Sequence, residues 1–171
     1  WTRDELLDGQ NSDVGSAHDL KADIVTSTPA AAYYDATSGV IRYAVRENFT
    51  WESEIAVVMA DVTAISLELG LGSIQRPRIA FATQSGGLFV AIKGSAGWTV
   101  ESVAAGGAGL TGLDALINER MALAYAGSGL QYAYRTATLD VNTEAYQPPD
   151  RIHQPPTLLQ MCAALIDALL S

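Results

Sequence analysis

The residues with the most chemistry in this chain gather in one short stretch: Tyr33, Tyr34 and Asp35, followed closely by Arg42, Tyr43, Arg46 and Glu47. Hydrolysis of a glycosidic bond takes two carboxyl groups at a set separation, and a Tyr beside a Glu and several arginines can serve the same end. All of these residue types are present. Tyr33, Tyr34, Asp35, Arg42 and Tyr43 are therefore the candidate ligand-binding residues, their aromatic faces suited to stacking on a sugar or a peptide. At the positions matching Arg42 further along the chain stand Phe89 and Gln131, so no ring of arginines converges on one point. Cross-strand pairs on solvated strand faces explain the charged members without catalysis, and packing explains the aromatic ones. No catalytic residue is assigned, and the sequence weighs against an enzyme.

Metal chemistry has thinner support. Asp8, Asn11 and Asp13 in Asp-Gly-Gln-Asn-Ser-Asp offer the hard oxygens that calcium takes, although not at the alternating spacing of a dedicated calcium loop. An Asx-rich turn uses the same residues. Calcium is the one cofactor left open. His18 and His153 are the only histidines and lie 135 residues apart, so a zinc site would need carboxylates or another chain. Cys162, the single cysteine, sits in an apolar stripe where an inert buried thiol is the default.

Composition narrows the classes further. Ten Lys and Arg against 19 Asp and Glu give a net charge of −9, which removes the clustered cations that bind a nucleic-acid backbone. One cysteine forbids an internal disulfide. No apolar run approaches the roughly 20 residues needed to span a bilayer as a helix. With 49% hydrophobic and 17% charged residues in 171, the chain has the make-up of about one globular domain. It begins at Trp1 without an initiator Met or a signal-like segment, which fits a processed or excised piece of a longer precursor.

The elements that must position these residues are set by internal repeats. Three segments align, beginning at Pro29, Pro77 and Met121, and each reads as strand, glycine turn, strand. Ala32, Ala80 and Ala124 correspond; so do the aromatics Tyr33, Phe81 and Tyr125, and, beyond the turn, Ala44, Ala91 and Ala133. Trp1, Trp51 and Trp98 keep the same beat, 50 and 47 residues apart, near the length of a propeller unit. The alternation of Ile41, Tyr43 and Val45 with Arg42, Ala44 and Arg46 has period two, the mark of a strand. A strand starting at each Trp and another around residues 64–69 or 110–117 make four per repeat. Counted from the tryptophans, the repeats run over about 1–50, 51–97 and 98–138.

Ala32-Tyr33-Tyr34-Asp35, Gly39, Tyr43-Ala44 and Trp51 resemble bacterial secreted β-propeller repeats, in which Ala-Tyr-Tyr-Asp, a glycine turn, a Tyr-Ala strand and a Trp follow one another. Asn11-Ser12-Asp13-Val14-Gly15 is similar to the Asp-box turn of sialidase-type propellers, with the serine one place late and no aromatic after it. The resemblance covers about residues 1–146 and loosens with each repeat, Thr83 and Gly127 standing where the first has Asp35. It implies an all-β partial propeller of about three four-stranded blades in a secreted or periplasmic protein. Three blades cannot close a ring that takes about four to eight, and open sheet edges invite strand addition. A second copy or another protein chain is expected to complete it.

From residue 147 the composition changes, with four of the six prolines in ten residues. Residues 147–157 read as an extended linker and 158–170 as an amphipathic helix capped by Thr157. Leu158, Cys162, Leu165, Ile166 and Leu169 form its apolar stripe and are the candidate partner-binding residues. The functional expectation is a non-enzymatic binding and assembly module, a subunit of a larger extracellular or periplasmic complex. The alternative is a glycan-binding or glycan-cleaving propeller fragment.

Overall fold

The computed structural model describes residues 13–23, 26–70, 76–105, 109–115, 121–127, 129–135 and 141–145. Their elements are all strands: β1 (Val14–Ala22), β2 (Pro29–Asp35), β3 (Val40–Glu47), β4 (Thr50–Val58), β5 (Val62–Glu68), β6 (Arg78–Thr83), β7 (Leu88–Gly94), β8 (Gly97–Ala104), β9 (Gly109–Ala115), β10 (Met121–Ala126), β11 (Leu130–Arg135) and β12 (Val141–Ala145). The linker and helix expected over 147–170 lie outside the described residues. So do Asp8 and Asn11.

Each run of four consecutive strands forms one antiparallel sheet in chain order, β1 to β4, β5 to β8 and β9 to β12. Short hairpins make this arrangement the natural one, since an antiparallel neighbour needs only a tight turn. Trp51 lies in β4 opposite Arg46, and Trp98 lies in β8 opposite Lys93. The tryptophans thus mark the fourth strand of a sheet, and the sheets span 14–58, 62–104 and 109–145, out of phase with units counted from each Trp.

The three central hairpins pair corresponding residues. Tyr33 pairs with Arg42, Phe81 with Phe89 and Tyr125 with Gln131, while Ala31 pairs with Ala44, Ile79 with Ala91 and Leu123 with Ala133. Even the irregularities repeat: the ladder slips between Ile41 and Arg42 in the first sheet and between Leu88 and Phe89, the matching positions, in the second. A bulge bends and twists a strand, so the fourth strands of both sheets turn in the same place.

Two cores lie between the sheets. Ala30, Ala32, Tyr34, Ile41 and Tyr43 of the first sheet pack with Leu67, Ile79, Phe81 and Ala91 of the second. Ala80, Ala82, Leu88 and Val90, from the opposite face of the second sheet, pack with Met121, Leu123, Tyr125 and Ala133 of the third. Because side chains alternate across a strand, β6 serves both cores at once and all six of its residues are buried. The small residues Ala32, Ala44, Ala80 and Ala91 are almost wholly inaccessible, and their size lets neighbouring sheets approach. First strands lie closest, β1 on β5 and β5 on β9, and contact thins toward the fourth strands. The sheets are therefore splayed, close at one edge and open at the other.

β1 holds His18 opposite Tyr33. Its sequence, VGSAHDLKA, lacks apolar alternation, and the strand exists because β2 offers it a ladder of backbone partners.

Candidate functional site

The structure divides the five candidate ligand residues between two faces of the first sheet. Tyr34 and Tyr43 point into the core shared with the second sheet. Tyr33, Asp35 and Arg42 stand on the other face by strand alternation, with the Arg42 guanidinium Nε 3.7 Å from Asp35 Oδ2. All three tyrosines are buried, so none offers an open ring to a ligand.

Asp35 has a local task. Its Oδ1 accepts a hydrogen bond from the Ser38 amide at 3.1 Å, closing the turn between β2 and β3. Burial pushes its carboxyl up, but hydrogen bonds from Ser38, the Arg42 charge and the Thr37 amide together hold it below the usual carboxylate value. In the second sheet Thr83 Oγ1 takes the same place and accepts from the Gly87 amide at 3.1 Å. In the third, Gly127 donates its own amide to the Gly129 carbonyl at 2.8 Å. The candidate ligand residue Asp35 is the first of three solutions to one turn.

Tyr34 likewise acts between sheets, its hydroxyl accepting from the Asp61 amide at 2.9 Å. Tyr43 meets Trp98 edge to face, ring centroids 5.6 Å apart, and Lys93 Nζ lies 5.5 Å from its centroid. Glu54 joins this cluster, accepting from Lys93 Nζ at 2.6 Å and from the Trp98 indole at 3.0 Å. Between the second and third sheets Glu101 and Arg135 are 3.0 Å apart. The two ion pairs are equivalent. Glu54 and Glu101 each sit three residues beyond their Trp, and Lys93 and Arg135 each stand two residues beyond the buried alanines Ala91 and Ala133.

A cleft of about 470 Å³ opens at one end of the first two sheets, its lining including Asp23, Thr28, Tyr43, Arg46, Glu47 and Asn48. Sequence reading had placed Tyr43, Arg46 and Glu47 near one hairpin but not Asp23, which precedes them by a whole strand pair. Burial, followed by the charges of Glu54, Asp23 and Glu47, pushes the Tyr43 hydroxyl up to about 12. The lining thus sets two carboxylates, Asp23 and Glu47, and one guanidinium, Arg46, beside hydroxyl and amide groups that can hydrogen-bond from several sides.

Of the calcium candidates only Asp13 is described: its amide donates to Thr37 Oγ1 at 2.8 Å and its carbonyl accepts from the Ala36 amide. Among the described residues no group of three or more His, Cys, Asp or Glu is placed to hold a metal ion, and none of their elements is a helix long and apolar enough to cross a membrane. The partner-binding stripe Leu158, Cys162, Leu165, Ile166 and Leu169 lies outside them. No protein-family model matches the chain, and no curated protein matches its sequence.

Proposed function

We propose that each sheet is one blade of a β-propeller and that the chain is a non-enzymatic binding and assembly module within a larger extracellular or periplasmic complex. The observation that carries this reading is the repeated ion pair. Glu54 with Lys93 and Glu101 with Arg135 join successive sheets at the same positions, so one spatial relation takes the first sheet to the second and the second to the third. Repeating such a relation leads around a ring, and three blades fall short of the roughly four to eight that close one.

The positions continue at both ends. Glu144 stands opposite Tyr132 in β12 as Glu54 stands opposite Tyr43 and Glu101 opposite Val90. Arg46 stands opposite Trp51 in β3 as Lys93 stands opposite Trp98 in β7. A blade stacked on the third sheet would bring a basic residue to Glu144. On the outward side of that sheet β10 and β11 carry Ala122, Ala124, Tyr132 and Tyr134, all half-buried, with the two tyrosine rings stacked at 6.0 Å. Further blades come from a second copy or another chain, and the location is inferred from the resemblance to secreted repeats.

Native mass spectrometry of the intact chain as isolated tests this. The expected result is a discrete oligomer or a stoichiometric complex, weakened in Glu144→Arg. A monomer at all concentrations, unchanged by that substitution, would refute it.

A further inference from the structure

We propose that the cleft bounded by Asp23, Tyr43 and Glu47, together with the exposed Phe49 beside it, is a binding site for a neutral saccharide. It is independent of whether the sheets belong to a ring.

The argument starts at the tip of the β3–β4 hairpin. Glu47 pairs with Thr50, leaving Asn48 and Phe49 as a two-residue turn at φ 49° and 67°. Positive φ at both central residues is the signature of a type I′ turn, whose second position is normally glycine. A bulky side chain in the left-handed region is strained. Packing does not compensate, because Phe49 is 80% exposed. Nor does the repeat demand an aromatic residue: in the sister hairpin Gly94 pairs with Gly97 around Ser95 and Ala96. Phe49 is a residue that neither the backbone nor the core of this sheet rewards.

Its surroundings supply the reason. The Arg46 guanidinium carbon lies 5.8 Å from the Phe49 ring centroid, and Arg46 also lines the cleft with Asp23, Thr28, Glu47 and Asn48. At about 470 Å³ the cleft falls in the range of small-molecule sites. Carboxylates, an amide, a hydroxyl and a guanidinium together match the mixed donors and acceptors of sugar hydroxyls, and the exposed ring of the residue that follows the cleft-lining Asn48 and meets the cleft-lining Arg46 matches the apolar C–H face of a pyranose. The sign of the potential selects within that class. The lining sets two carboxylates, Asp23 and Glu47, against the single guanidinium of Arg46, so a sugar bearing a carboxylate meets a net negative lining where a neutral one meets no repulsion.

The test is titration calorimetry of the intact chain with methyl β-glucoside, methyl β-galactoside and chitobiose as neutral probes and sialyllactose as the anionic one. At least one neutral probe is expected to bind, sialyllactose is not, and Phe49→Ala should weaken binding about tenfold. Phe49→Gly should weaken it as much while raising Tm by roughly 2 °C, since glycine relieves the turn. No binding of any neutral probe, preference for sialyllactose, or undiminished binding by Phe49→Ala overturns the assignment. A lower Tm in Phe49→Gly also overturns it, because the ring would then be serving the fold.

Discussion

Asp35 and Tyr43 carry opposite pH signatures. The Asp35 carboxyl is held below its ordinary value of 3.8 in the folded chain, so its stabilising contribution is present above that value and is lost as pH falls through the lower folded one. Thermal melts of Asp35→Asn should show a flatter loss of Tm below pH 3.8 than the parent chain. Tyr43 is raised from 10.0 to about 12, so its contribution is complete below pH 10 and disappears as pH climbs to about 12. Tyr43→Phe should flatten that alkaline limb, and ultraviolet titration should lose a phenol that ionises at about pH 12. Gly87 tests packing instead. A Cβ there would sit 2.5 Å from the Phe89 ring, which is stacked on Phe81 at 5.2 Å and cannot swing away without losing that contact. Gly87→Ala should cost about 1–3 kcal/mol in a denaturant melt.

At the scale of elements, a sheet joins its neighbour through a buried apolar face and one ion pair toward the open edge. Glu101 and Arg135 are largely covered, at 30% and 18% exposure, whereas Glu54 and Lys93 are more open. A double-mutant cycle with Glu101→Gln and Arg135→Gln should therefore give a coupling of about 0.5–1 kcal/mol, falling with added salt. The central hairpins were legible in the sequence because their residues obey period two and their small residues recur. β1 was not. Its apolar and polar residues do not alternate, and what makes it a strand is an edge of β2 already in place, together with the bond by which Asp19 Oδ2 accepts from the Leu67 amide of the next sheet at 2.8 Å.

On the scale of the whole molecule, a helix over 158–170, expected from the sequence, would contribute to the proposed assembly. Leu158, Leu165, Ile166, Leu169 and Leu170, fully buried, would gain about 1.5–3 kcal/mol each before ordering costs. Removing residues 155–171 should reduce the assembled fraction in sedimentation while leaving the β-type circular dichroism in place. Unchanged assembly would reduce that segment to a local cover.

What the sequence by itself determined is the period of the chain and the type of its elements. Alternating apolar residues, glycine turns and recurrent Ala-aromatic pairs are local or nearly so, and backbone sterics convert them into antiparallel hairpins without reference to distant residues. It also showed that Arg42 has no counterpart arginines, which kept it from being read as catalytic. Only the tertiary structure decided which face each residue serves and which sheet it meets. Tyr33 and Tyr34 are neighbours in sequence yet stand on opposite sides of β2, Tyr34 in the core with the second sheet. Glu54 and Lys93 come together because their sheets are stacked, and Asp23 and Glu47 because β1 and β3 flank β2 in one sheet. Charge partners across sheets leave no mark in a local pattern, since only the stacking distance and register bring them into reach.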